Sequence, residues 1–302
     1  MADRNGIERK REPKNQGVPA VRAGILDGLQ IALRDAFVAK WPQAPKLPAS
    51  DTLTGGSKLG SDGEFADGSV EGNQFAGLIS RGVIIGLLNA REFNGQQELA
   101  EAIIGLRPLD QGQILLADRD ISNLDARERF GLGLAHIPND RKREGLIGSM
   151  GIGQNLMLKR HRSPPFSTHG IMHWLRVRES AAKLAKEFNI RTGSLDTPIS
   201  TLSGGNQQKV VLARELGVAQ PRIIIAMNPT RGLDVAAMRF VHEQLLAHRS
   251  RGAGILLISS ELEEILQLSH RIGVLFRGRL TMSDFPHEGV EKIGRLMAGL
   301  SD

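Results

Sequence analysis

The sequence predicts an α/β fold, a mostly parallel sheet with an inserted helical subdomain. Three observations predict it. Short apolar runs at 83–88, 223–227 and 255–258 have the length of strands and lack alternation, so both of their faces need cover. Helical patterns at 97–106 and 238–249 follow or separate those runs, the order that makes parallel strand neighbours. Between about 145 and 200 the pattern is helical and polar, interrupted by Ser163-Pro164-Pro165, as expected of an inserted subdomain.

Taken in order, residues 1–24 set Arg4, Arg9, Lys10, Arg11, Lys14 and Arg22 against three acids and predict a disordered basic arm. Ile25, Leu26, Leu29, Leu33, Phe37 and Trp41 recur at helical spacing, predicting one amphipathic helix over 25–41. Residues 42–77 are rich in Gly, Ser, Pro, Asp and Thr and read as a linker. The division is therefore 1–80 for arm, helix and linker, and 81–302 for an α/β domain whose helical subdomain covers about 145–205. Within it, Val83–Leu88 is a strand, Gln97–Leu106 a helix, Gln113–Leu116 a strand with its turn at Asp118–Asp120, and Ala135–Ile137 a strand ended by Pro138-Asn139-Asp140-Arg141. Ile223–Ile225 and Ile255–Ile258 are strands around the helix Met238–Arg249, Val274–Leu280 is a hairpin, and Val290–Met297 is a terminal helix.

Composition narrows the function. The 302 residues are 40% hydrophobic and 24% charged, a globular balance, and no apolar run approaches a membrane span. With no cysteine and no apolar leader, a cytoplasmic protein is expected. The net charge of +6 is modest, aromatics are 4% and tyrosine is absent, so no nucleic acid is expected as a partner. None of the eight histidines has metal-ligand spacing, and no metal-ligating residue is predicted; His136, His242 and His248 read as strand-end or helix-surface residues. Gly55-Gly56-Ser57-Lys58 fails as a phosphate loop, because no apolar strand precedes it and its lysine follows the serine.

One stretch points to phosphate. Ser203, Gly204, Gly205 and Asn206 stand ahead of apolar positions 210, 211, 213 and 216, so Ser203 is a natural N-cap. A helix start with free N–H groups and a positive dipole end suits an anion, and glycines let it come close. The whole string Leu202-Ser203-Gly204-Gly205-Asn206-Gln207-Gln208-Lys209 resembles the signature motif of ATP-binding-cassette (ABC) ATPases, in the form found in sugar and nucleoside importers. From about Arg81 onward the landmarks follow that family's order. Asn94-Gly95-Gln96-Gln97 resembles the end of its phosphate loop, Pro138–Arg141 its Q-loop region, Pro229-Thr230-Arg231-Gly232-Leu233-Asp234 the Walker B tail with the D-loop, and Ser259-Ser260-Glu261 the switch region. The resemblance is to the second nucleotide-binding half of such importers and implies a P-loop NTPase-like domain using ATP and Mg²⁺, docked on integral membrane permease subunits at the inner face of the plasma membrane.

The departures are as informative as the matches. The loop from Asn89 to Gln97 has one glycine and no lysine, with Gln96 near the lysine position. The Mg²⁺-linked aspartate position falls on Met227, the catalytic glutamate position on Asn228 and the switch histidine position on Ser260. Asparagine orients water without accepting its proton, so this chain's own site is expected to be weak or inactive. Ser203, Gly204, Gly205, Asn206 and Asp234 are intact, and the resemblance implies that they face ATP held mainly by a second cassette. Two other classes stay open: a regulatory or scaffold paralogue that binds a partner ATPase without turnover, and a nucleic-acid role for the basic arm.

Overall fold

The computed structural model describes residues 29–33, 74–75, 79, 81–89, 95–109, 112–117, 119–217, 220–283 and 289–300. In chain order the elements begin with β1 (Leu29–Leu33), β2 (Gln74–Phe75), β3 (Ile84–Asn89), α1 (Gln96–Ile104), β4 (Gly112–Leu116) and β5 (Arg119–Asp120). They continue with α2 (Ala126–Gly131), β6 (Leu134–Ile137), a π-helical turn Arg141–Gly145, α3 (Ile152–Met157), β7 (Ser167–Thr168), β8 (Ile171–Met172) and α4 (Trp174–Glu187). A 3₁₀ turn Ile199–Thr201 leads into α5 (Gly204–Leu216), β9 (Ile223–Met227), α6 (Val235–Ser250), β10 (Gly254–Ser259), α7 (Leu262–Leu268), β11 (Arg271–Phe276), β12 (Arg279–Ser283) and α8 (Gly289–Met297).

The central sheet has the order β12-β11-β3-β10-β9-β6 and is parallel except for the antiparallel edge strand β12. Its strands lack alternation because each face carries a core of its own. Ile84 and Leu88 of β3 join Ile224, Ile255 and Leu257 on the side of α5, while Ile85 and Leu87 join Ile225, Leu256 and Ile258 on the side of α1. Gly86 in β3 has a packing reason: a Cβ there would press on Ser269 and lie 2.7 Å from Ile265 Cγ2, so α7 rests directly on the strand. The helical stretch packs α3 against α4 and α5 through Leu156, Ala181 and Leu212.

Three readings of the sequence need correction. Leu29–Leu33, at the centre of the expected helix 25–41, forms a strand that pairs in parallel with both β2 and β4. Leu29, Ile31 and Leu33 also alternate, and over five residues a period of 2 competes with a period of 3.6; the open ladder of β4 decides for the strand. The rest of 25–41, the basic arm and nearly all of the linker lie outside the described residues. Within the polar helical stretch, β7 and β8 form a small antiparallel hairpin that helical spacing did not signal. At the turn expected over 118–120, Arg119–Asp120 pairs back onto β4 as a two-residue strand.

Each helix bearing a predicted functional residue starts on a specific cap. Gly95 precedes α1 with φ 101°, a left-handed conformation that glycine adopts without penalty. Ser203 caps α5 by accepting the Asn206 N–H, and Asp234 caps α6 by accepting the Ala237 N–H at 2.8 Å. The C-terminal end of α1 is sealed by a buried cation: Arg129, 1% exposed, donates to the carbonyls of Ala102, Ile103, Ser122 and Leu124.

Candidate functional site

Parallel strands bring their C-terminal ends to one edge of the sheet, and two predicted positions meet there. Asn228 follows β9 with φ 39°, a left-handed backbone that asparagine tolerates better than most residues. Its N–H donates to the Ile258 carbonyl at 2.7 Å. Its side chain is bonded at both ends: Nδ2 donates to Asn139 Oδ1 at 2.8 Å, and Oδ1 accepts the Ser260 N–H at 2.9 Å and the Ser260 hydroxyl at 3.3 Å. Asn228, Ser260 and the Asn139 of the Pro138–Arg141 turn thus form one cluster across the ends of β6, β9 and β10. Met227, the neighbouring position, is 3% exposed and packs in the α1-side core.

The phosphate-loop candidates lie at the start of α1. Asn94 falls outside the described residues. Gly95 and Gln96 are buried, and Gln96 Nε2 has no hydrogen-bond partner among the described residues. Gln97 turns along its own helix to Glu101 Oε1 at 2.9 Å. Burial, with the charges of Asp140 and Glu101 adding to it, pushes the nearby Glu144 carboxyl up.

The second group sits where the N-termini of α5 and α6 converge. A Cβ on Gly205 would lie 3.1 Å from Ala237 Cβ and 3.8 Å from Asp234 Oδ2, so these helix starts pack closely where residue 205 has no side chain. Ser203 and Asp234 are exposed. The Ser203 oxygen accepts from the Asn206 N–H at 3.4 Å and from Asn206 Nδ2 at 3.3 Å, which leaves its own proton free to donate outward. Asn206 Oδ1 is taken by the Arg191 N–H at 3.1 Å, which turns the asparagine toward its own subdomain. The N–H groups of Gly204 and Gly205 belong to the first helical turn and have no intrahelical acceptor. Burial lowers the Lys209 pKa, Arg191 adds to that, and Asp234 opposes it.

The groups are joined by contacts that motif spacing did not indicate. Gln208 Nε2 donates to the Pro229 carbonyl at 2.8 Å, and Arg141 Nη1 donates to the Arg231 carbonyl at 3.0 Å, with the same guanidinium lying over Gly204. Both tie the start of α5 to the 228–234 loop.

Several known proteins resemble this chain. The ABC transporter family matches residues 94–231. The chain is 43% identical over 222 residues to the guanosine import ATP-binding protein NupO of Bacillus subtilis (strain 168), covering 73% of this chain and 43% of that protein. It is 37% identical to the nucleoside import ATP-binding protein NupA of Lactococcus lactis subsp. cremoris, covering 73% of this chain and 44% of that protein. A nucleotide-free ATP-binding cassette from an ABC transporter superposes with a TM-score of 0.60 at 18% identity, over 74% of this chain and 90% of that one. The chain belongs to the ABC transporter ATP-binding family. It spans less than half the length of both curated relatives.

Within this ATP-binding domain, further residues border the site. A pocket of about 620 Å³ opens beside Asn228 and Ser260, and the buried Glu264 and the partly buried His242 line it. His242 is therefore not the plain helix-surface residue expected from the sequence, and His248 is buried at 4% exposure. The available signal for Glu264 was its place one turn ahead of Leu268 on the apolar face of α7. No helix among the described residues is long and apolar enough to cross a membrane.

The residues present fit a phosphate at one place and a hydrated cation poorly at the other. The exposed Ser203 hydroxyl and the first-turn N–H groups of α5 are anion donors. Met227 and Asn228 offer a buried thioether and an amide already bonded on both sides, neither of which is a carboxylate for Mg²⁺.

Proposed function

We propose that this chain supplies an ATP-binding domain to an ABC importer of nucleosides or sugars, contributing the signature contacts of a composite ATP site while its own Walker site is degenerate. The single observation behind this reading is the contrast between Asn228, whose polar atoms are all bonded within the chain, and Ser203, which keeps an exposed hydroxyl at a helix start. The relatives' names, guanosine import and nucleoside import, support the solute class. In this reading the domain lies at the cytoplasmic face of the membrane against integral permease subunits, paired with a second nucleotide-binding domain. The α/β domain runs over 81–302, with its helical part at about 145–205.

ATP, held mainly by the partner cassette together with Mg²⁺, supplies the phosphoanhydride whose hydrolysis drives transport. Ser203 Oγ–H and the Gly204 and Gly205 N–H groups donate to phosphate oxygens, where developing negative charge strengthens each bond. Asn206 holds the Ser203 oxygen from behind through Nδ2, which orients the hydroxyl proton outward. Asp234 keeps the start of α6 against Gly205. On this chain's own side, Gly95, Gln96 and Gln97 border the loop that would hold a nucleotide. Asn228, bonded to Asn139 and Ser260, takes no proton from water, and Ser260 brings no imidazole.

The test is a mixed assembly. Adding this chain to an intact cassette, one carrying the loop lysine and the catalytic glutamate, should raise ATPase activity, and Ser203→Arg should remove the increase. If neither activity nor ATP affinity responds to the chain, it is not a functional half, and the scaffold reading takes its place.

A further inference from the structure

The hydrogen bonds around Glu264 join parts of the molecule that the functional reading treats separately. Glu264 lies on α7 and is 5% exposed. Its Oε1 accepts the Thr230 hydroxyl at 2.9 Å and His242 Nε2 at 2.9 Å, and its Oε2 accepts the Ser259 hydroxyl at 2.6 Å. The Ser259 oxygen in turn accepts the Glu261 N–H at 3.0 Å. The three donors come from three elements: Thr230 from the loop leading to Asp234, His242 from the helix that Asp234 caps, and Ser259 from the last position of β10, directly before Ser260.

Chain stability alone does not call for a carboxylate here. Burying one is unfavourable, and replacing such a cluster by apolar side chains of similar shape is often neutral or stabilising. A carboxylate does have one property that an apolar side chain lacks: it holds several donors at fixed directions, so that a shift of one donor is felt by the others. Two of its donors belong to the segment carrying Asp234, and the third adjoins the switch position whose N–H and hydroxyl bond Asn228.

We infer that Glu264 is a positioning residue that couples the 228–234 loop and α6 to the end of β10, so that the partner-facing contacts and this chain's own pocket edge move together. That the first contacts face a partner rests on the proposed composite site; the coupling itself does not. Glu264 touches no reacting atom in this scheme and acts through Asp234 and Ser260.

The coupling can be read in the full chain alone by hydrogen exchange of peptides covering 229–237 and 257–263. Ser259→Ala should speed exchange in 229–237, and Thr230→Val should speed it in 257–263, each about tenfold, the size expected for losing one hydrogen bond to a charged group. In a Glu264→Gln background neither second substitution should add a remote effect. Remote effects that are absent when Glu264 is intact, or that persist in the Glu264→Gln background, overturn the inference. The first half of this test stands even if the Glu264→Gln chain is poorly folded. In the mixed assembly, Glu264→Gln should lower kcat with little change in KM for ATP, and Asp234→Ala combined with it should be no worse than Asp234→Ala alone; multiplying losses overturn the inference. If the wild-type chain stimulates no cassette, the composite site falls, and the exchange result still decides the role of Glu264.

Discussion

The ends of β9 and β10 and the starts of α5 and α6 use similar small polar residues to opposite effect. At the strand ends, the Asn228 amide is bonded to Asn139 and Ser260, and the side chain is held in place by groups of its own chain. At the helix starts, Ser203 and Asp234 each bond a backbone N–H of their own helix and remain exposed. The lesson is that a motif position is informative only together with its partners. An asparagine that could have oriented water is held inside the chain, whereas a serine that could have been a plain cap leaves its proton free.

The strongest way to break this comparison sets one substitution in each region side by side. In the mixed assembly, Ser203→Arg should lower stimulated ATPase activity by about 10²-fold or more, the scale for losing preorganised donors at developing charge, whereas Asn228→Ala should lower it by less than about threefold. Equal losses would erase the distinction.

Acid should act on the strand that leads into the closed region. Burial pushes His136, in the strand leading to Asn139, down to about 4, despite the opposing charge of Glu215. The unfolded chain binds a proton near the ordinary histidine value of 6.5 that the folded chain refuses. Stability is therefore unaffected by this group above that value, falls as pH drops from 6.5 toward 4, and levels off below. The full effect is roughly 3 kcal/mol. Chemical denaturation across that range should show His136→Asn losing stability less steeply than the wild-type chain.

Smaller effects sharpen the contrast further. Asn228→Ala should destabilise the chain by about 2 kcal/mol in urea denaturation, since it removes an acceptor from Ser260 and a donor from Asn139. Ser203→Ala removes one cap and should destabilise by about 1 kcal/mol. A larger thermodynamic penalty at Ser203 than at Asn228 would mean that the serine is built for stability and the asparagine is the free group.

How much was legible follows from the range of each interaction. The strands β3, β9 and β10 and the helices α1, α5 and α6 were readable because an apolar run, a period and a cap are written within about a dozen consecutive residues. The strand β1 was misread because its five residues satisfy both periods and only its neighbour β4 chooses between them. Glu264 and Gln208 were missed as site residues because their partners lie 34 and 21 positions away, beyond the reach of helix spacing.

By itself, then, the sequence determined the helix start at Ser203, the buried strands of a parallel sheet and the order of landmarks shared with ABC ATP-binding proteins, since each depends on neighbours along the chain. Tertiary structure alone decided that Asn228 would be occupied, by an Asn139 that is 89 positions distant and a Ser260 that is 32 away. It also decided that Gly205 would bring two helix starts into contact. The physical reason is the same in both cases: a parallel sheet gathers the ends of strands far apart in sequence at one edge, and hydrogen bonds of about 3 Å form only after that assembly.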